Sequence, residues 1–142
     1  MDTITLRVLG PDDFELLMAV TPGLFDAPMR ADQARAFLDN PMHVCVLAFE
    51  GDLAVAMATG TVLLHPDKAP AMFINEIGTR DAYQRRGIGT RVTQALIDLA
   101  RKRGCEGVWL GTEHDNAAAL GLYRSMKADE VKGSFFGWDD AL

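Results

Sequence analysis

Cysteine, histidine and long apolar runs are all scarce in this chain, and each shortage removes a class of protein. Only two cysteines occur in 142 residues, Cys45 and Cys105. They lie far apart, match neither a metal nor a redox spacing, and read as small buried hydrophobes. The three histidines, His43, His65 and His114, are scattered without ligand spacing, so no metal site is expected. No apolar run reaches the length of a bilayer-crossing helix, so no membrane partner is expected. The opening Met1-Asp2-Thr3-Ile4-Thr5-Leu6-Arg7 has neither the basic nor the apolar stretch of a secretory signal. A cytoplasmic location is the expectation. No repeat, low-complexity stretch or linker interrupts residues 1–142, so one domain is expected over them.

Apolar residues make up 49% of the chain, enough for one hydrophobic core. The net charge is −6, unevenly spread. Between Arg80 and Arg103 seven basic residues face only Asp81 and Asp98, a local +5 that leaves −11 for the remainder. An acidic remainder argues against nucleic acid as a partner. A basic island within it suggests an anionic ligand there and a neutral or cationic one nearby.

Residues 3–8 alternate as a first strand. Pro11-Asp12-Asp13 opens a helix with Phe14, Leu17 and Met18, broken at Thr21-Pro22-Gly23. Residues 31–38 read as a second short helix. Residues 43–49 and 53–64 are strands joined by the hairpin turn Glu50-Gly51-Asp52. After a loop with two prolines, residues 72–79 form another strand. Ile88, Val92, Ala95, Leu96 and Leu99 make one apolar helical stripe, with Arg101, Lys102 and Arg103 in the last turn and Gly104 beyond it. A strand over 107–112, a helix over 117–126, a further short strand near 128–132 and a last strand over 134–138 complete the order. Antiparallel strands followed by a β-α-β unit predict an α/β fold, with a mixed, mostly antiparallel central sheet and helices on both faces.

The stretch Asn75-Glu76-Ile77-Gly78-Thr79-Arg80-Asp81-Ala82-Tyr83-Gln84-Arg85-Arg86-Gly87-Ile88-Gly89-Thr90 carries the chemistry. A strand ends, a short loop follows, and two glycines open a helix whose free N–H groups form an anion site. Gly87 and Gly89 let a phosphate approach the backbone, and Arg85 and Arg86 add charge. No Gly-Lys-Ser/Thr follows, which excludes a P-loop, and the third glycine of a dinucleotide fingerprint is missing.

Gln84-Arg85-Arg86-Gly87-Ile88-Gly89 resembles the Gln/Arg-x-x-Gly-x-Gly/Ala signature of the GNAT superfamily of N-acetyltransferases. The resemblance implies acetyl-CoA as co-substrate. Its pyrophosphate would fall on Arg85, Arg86, Gly87, Ile88, Gly89 and Thr90, and its pantetheine arm on the main chain of Ile77, Gly78 and Thr79. Asn116-Ala117-Ala118-Ala119-Leu120-Gly121-Leu122-Tyr123 resembles a second element of the family, the Asn-x-x-Ala-x-x-Leu-Tyr helix. It implies a cofactor contact for Asn116, which also suits a plain helix cap. It implies protonation of the departing thiolate for Tyr123. The family's Gly-Phe four and five residues after that Tyr is replaced by Lys127-Ala128, which puts the helix exit in question.

An amine acceptor must lose a proton to attack. Glu76, a lone carboxylate in an apolar strand, is the preferred base, and burial would raise its pKa. Glu113 could share that role or hold an ammonium, and His114 is a third candidate. Asp26, Glu113, Asp115, Asp139 and Asp140 are candidate carboxylates for a cationic small-molecule amine. Residues 116–140 look like the C-terminal part of GNAT-type aminoglycoside 3-N-acetyltransferases. The alternatives are a polyamine, an amino acid, a protein or peptide amine, or a coenzyme A sensor without catalysis. Phe135, Phe136 and Trp138 either take part in a homodimer or fill the core.

Overall fold

A computed structural model describes residues 3–142. The chain forms two compact units, residues 1–111 and 112–142. The first contains β1 (Ile4–Val8), a 3-10 turn at Pro11–Asp13, α1 (Phe14–Met18), α2 (Ala31–Asp39), β2 (His43–Glu50), β3 (Leu53–Leu63) and β4 (Ala71–Thr79). A second 3-10 turn at Asp81–Tyr83, α3 (Ile88–Lys102) and β5 (Gly107–Trp109) complete it. The five strands lie in sequence order, antiparallel except for the parallel pair β4 and β5.

β2 is apolar along nearly its whole length because both of its faces are covered. Val44, Val46 and Ala48 pack with Ile88, Val92, Leu96 and Ala100 of α3. The alternate residues Cys45, Leu47 and Phe49 pack with Leu17 of α1 and with Ala34 and Leu38 of α2. The expected α/β architecture, a mostly antiparallel mixed sheet with helices on both faces, is therefore observed. Of the α3 stripe read from the sequence, Ile88, Val92 and Leu96 are at most 2% exposed and Ala95 and Leu99 are partly buried, and the stripe extends to the buried Ala100. Its exit is a Schellman turn: Gly104 adopts φ 80°, and the Cys105 and Gly104 N–H groups donate to the Ala100 and Arg101 carbonyls. The first turn of the chain is pinned by Asp13, which accepts from Arg7 at 2.6 Å and from the Gly10 N–H at 2.8 Å.

The second unit contains α4 (Ala117–Ser125) and, among the described residues, no strand. Three expectations are corrected. The strand expected over 107–112 stops at Trp109, because only residues 71–73 of β4 pair with it. The strand expected near 128–132 is absent, and Glu130 instead chelates Arg124 at 2.8 and 3.0 Å. The last strand over 134–138 is absent too, since its unit offers no neighbouring strand to satisfy an extended backbone. Phe135, Phe136 and Trp138 are 58, 79 and 78% exposed, so they do not fill a core.

Candidate active site

The loop between β4 and α3 is shaped for an anion. Arg85 and Gly87 both take positive φ, 63° and 75°, on either side of Arg86. Left-handed residues in such a turn fold successive N–H groups toward one concavity. Among the described residues, the N–H groups of Ile88, Gly89 and Thr90 donate to no main-chain carbonyl, and intrahelical bonding begins with Arg91 on the Gly87 carbonyl at 3.2 Å. A Cβ built on Gly87 would meet nothing within 4 Å, so the space in front of this turn is open. The two arginines differ. Arg85 is exposed and makes no ion pair among the described residues. The Arg86 guanidinium lies 3.6 Å from Glu50 and over the Tyr83 ring, and the Tyr83 phenol donates to Glu50 at 3.1 Å. Gln84 ties this loop back to the strand by donating to the Thr79 carbonyl at 3.4 Å.

β4 is open along one edge. Its pairing with β5 covers Ala71, Met72 and Phe73 and then ends, whereas its pairing with β3 continues to Thr79. Beyond Phe73 the main chain of β4 on that side has, among the described residues, no strand neighbour. It offers an extended amide-bearing ligand the ladder positions a further strand would take. Ile77, Gly78 and Thr79 lie on this stretch. Two residues past the end of the β5 pairing β4 carries a bulge: Glu76 opposes Thr59 and Ile74 opposes Gly60, so Asn75 is the extra residue. A bulge bends and twists its strand at that point.

The bulge also decides which way Glu76 faces. Ile74 and Ile77, three apart, both pack on the α3 side. Asn75 instead pairs with Thr61 at 2.9 Å, and Glu76 lies over Cys45 on the α1 and α2 side. In unbroken alternation Glu76 would share the face of Ile74 and enter the α3 core, where a carboxylate has no partner. On its actual face it is solvent-exposed but partly dehydrated. That dehydration, and then the Asp26 charge, raise its carboxyl above the ordinary range. Burial and the Glu76 charge push the Cys45 thiol up to about 12, so it stays protonated. Of the candidate carboxylates, Asp26 is the one whose charge acts on Glu76.

Asn116, Tyr123, Glu113, Asp115, Asp139 and Asp140 belong to the second unit. Asn116 caps α4, its side-chain oxygen accepting from the Ala119 N–H at 3.2 Å. Tyr123 sits on α4, and partial burial raises its phenol above the ordinary value. Glu113 and Asp115 lie in the turn before α4, where the Glu113 carbonyl accepts from the Asn116 N–H and the Asp115 carbonyl from the Ala117 N–H. Asp139 and Asp140 have φ 57° and 62° in a turn closed by the Ala141 N–H on the Trp138 carbonyl. The helix exit at Lys127-Ala128 is a Schellman turn, with Lys127 at φ 62° in the place that favours glycine.

The model of the acetyltransferase (GNAT) family matches residues 13–127. The chain belongs to the GNAT acetyltransferase family. It is 44% identical over 49 residues to the [ribosomal protein bS18]-alanine N-acetyltransferase of Escherichia coli (strain K12). That match covers 34% of this chain and spans 33% of the relative's own length. The fold is similar to a crystal structure of the aminoglycoside acetyltransferase meta-AAC0020 from an uncultured soil metagenomic sample, in complex with trehalose. The TM-score is 0.86 at 20% identity, over 96% of each chain. It is also similar to AAC(6′)-Iy in complex with a bisubstrate analogue, CoA-S-monomethyl-acetylneamine. Here the TM-score is 0.81 at 14% identity, over 99% of this chain and 100% of that one.

GNAT acetyltransferases take the acetyl group from acetyl-CoA. The residues present fit that donor: unpaired N–H groups and an open left-handed glycine suit the pyrophosphate, and the strandless β4 edge suits the two amides of pantetheine. Arg80, part of the basic island in the sequence, is a junction residue in the structure. Its guanidinium donates to the Ala54 carbonyl at 2.7 Å, the Pro22 carbonyl at 2.7 Å, and the Thr21 carbonyl and hydroxyl, both at 2.9 Å. Sequence reasoning missed that role, and missed Glu50 and the extra residue in β4. An arginine at the end of an apolar strand was the available signal for the first, and no local signal marked the other two.

Proposed function

We propose that this chain is an acetyl-CoA-dependent N-acetyltransferase, a single catalytic domain that acetylates a primary amine of a small cationic molecule. The observation that carries the reading is the bulge, which puts the lone carboxylate of β4 on the loop-facing side of the strand, beside the edge that suits the donor.

The N–H groups of Ile88, Gly89 and Thr90 would hold the pyrophosphate, with Arg85 and Arg86 supplying charge; Arg86 would have to share itself with Glu50. Main-chain groups of Ile77, Gly78 and Thr79 would hold the pantetheine arm, and Asn116 would contact it through the amide that its capping oxygen leaves free. Acetyl-CoA, when bound, supplies an activated thioester. Glu76 accepts the proton of the incoming ammonium, directly or through water; its raised pKa brings it nearer to an amine and makes it a stronger base than an ordinary carboxylate. Tyr123 is protonated at neutral pH and donates a hydrogen bond to the departing thiolate. Its raised pKa makes complete proton transfer to a thiolate uphill, so solvent finishes that step.

Asp26 and Glu76 together favour a cationic acceptor, as does the −11 remainder of the chain. Aminoglycosides are polycations of that kind, and the fold neighbours include their acetyltransferases. Glu113, Asp115, Asp139 and Asp140 are candidates for further ammonium contacts. A second reading, an N-terminal amine of a protein, is supported by the bS18-alanine relative. Turnover with acetyl-CoA across aminoglycosides, polyamines, amino acids and an alanine-ended peptide tests both. The expected result is fastest turnover on a polycationic aminosugar. Selective turnover of the peptide would favour the second reading, and coenzyme A binding with no turnover of any amine would indicate a sensor.

A further inference from the structure

We propose that Arg80 is a positioning residue for acceptor binding: it pins the loop of residues 21–28, and so holds Asp26 against the face that carries Glu76. The inference rests on the acetyltransferase reading for its kinetic arm only.

Arg80 follows the last residue of β4, and its own N–H donates to the Val55 carbonyl at 2.9 Å. Its side chain then spends the guanidinium fork on two elements. Nε is fixed on β3 at Ala54, and both terminal nitrogens reach the loop at Thr21 and Pro22. The loop is fitted to this anchor. Gly23, at φ 104°, passes so close that a Cβ there would stand 3.0 Å from Nη1 of Arg80. The next residue, Leu24, is buried, and its carbonyl would lie 3.3 Å from a Cβ on Gly78. Two residues further along is Asp26, whose charge acts on Glu76. The remainder of the loop, with Phe25, Ala27 and Pro28, lines a cavity of about 230 Å³ that also takes in Thr21 and Pro22. Among the described residues no regular hydrogen-bond ladder holds residues 21–28, so the three Arg80 bonds to Thr21 and Pro22, with the fourth fixing the same guanidinium on Ala54 of β3, are its main polar attachment to the sheet.

The geometry is specific to arginine. Four acceptors lie in divergent directions around one planar group, and a lysine ammonium has three donors at a single point. A merely structural anchor would change stability alone, whereas a positioning residue also changes how Glu76 titrates. The titratable groups that act on Glu76 or answer to it are Asp26 from the loop and Cys45 from β2.

The test uses the full chain as wild type, Arg80→Lys, Gly23→Ala and Asp26→Asn. Carbon-detected NMR titration of the Glu76 carboxyl needs no substrate. The expected result is a lower Glu76 pKa in all three variants, with Arg80→Lys and Gly23→Ala moving the same way as Asp26→Asn. In steady state, the acceptor KM should rise about tenfold in Arg80→Lys, the worth of one charged hydrogen bond, while the acetyl-CoA KM holds within about twofold. Gly23→Ala disturbs the same junction from the loop side and decides the matter if Arg80→Lys does not fold. Wild-type titration and acceptor KM in Arg80→Lys, or in Gly23→Ala where that variant decides, would overturn the proposal. Absence of turnover in the wild type would count against the acetyltransferase reading, and the titration would still decide the role of Arg80.

Discussion

The two sides of the site are built in different ways. In the proposed site the donor would be held mostly by one contiguous stretch, Ile77 to Thr79 and Arg85 to Thr90, and mostly through main-chain groups, with Asn116 and Tyr123 of α4 added to it. The proposed acceptor side would draw on four separated stretches: the loop with Asp26, β2 with Cys45, β3 with Ala54 and Thr59, and β4 with Glu76. A main-chain site depends on local φ and ψ, so a short motif specifies it. A side-chain site depends on which face each residue takes, and a single inserted residue reverses that. The donor side should therefore tolerate changes in side-chain chemistry and fail when Cβ atoms are added. The acceptor side should do the opposite.

The largest expected effect is on the acceptor side. Glu76→Gln should lower kcat by about a hundredfold or more near neutral pH, the usual worth of a general base, and leave the acetyl-CoA KM unchanged. The pH profile checks the assignment. Because the folded-state pKa of Glu76 is raised, the acid limb of wild-type activity should lie above the ordinary carboxylate range and vanish in the variant. The sign for stability is opposite to that for activity. A raised carboxyl pKa adds stability below its unfolded value, and this is lost as pH rises through the folded value. Glu76→Gln should therefore be slightly stabilising at neutral pH, by an amount that solvent screening keeps small, measured by urea unfolding.

On the donor side, Gly87→Val should weaken coenzyme A binding by about a hundredfold, measured by calorimetry. The unliganded protein should lose only about 1 to 2 kcal/mol, the cost of a left-handed side chain, because no protein atom lies within 4 Å of the new Cβ. A loss of stability equal to the loss of affinity would mean that the glycine serves the fold and not the ligand.

The smallest effect concerns two helix exits with one geometry and different residues. α3 leaves through Gly104 at φ 80°, and α4 leaves through Lys127 at φ 62°. The missing family glycine therefore left the turn intact and added strain to it. Lys127→Gly should raise stability by about 0.5 to 1 kcal/mol in thermal or urea unfolding, and the equivalent change has nothing to gain at the α3 exit.

The same division explains what could be read from the residues. The α3 stripe, the β2 to β3 hairpin and the glycine pair were legible because each is a local pattern with one stable answer. Glu76 was legible as a carboxylate out of place in an apolar strand, but its direction was not, since nothing local marks Asn75 as an extra residue. Arg80 was counted only as part of a basic island, because its acceptors at Thr21, Pro22 and Ala54 lie far away in sequence. The strand expected over 134–138 failed for a related reason. Aromatic residues suit a strand, but a strand also needs a neighbour, and residues 112–142 contain none.

Calorimetric titration of the wild type with coenzyme A, and separately with pantetheine, probes the main-chain cradle most directly. Binding of coenzyme A that is about a hundredfold tighter than that of pantetheine is the predicted result if, as proposed, the pyrophosphate engages the N–H groups of residues 88–90. No heat with coenzyme A at millimolar ligand, or equal affinities for the two, would contradict it.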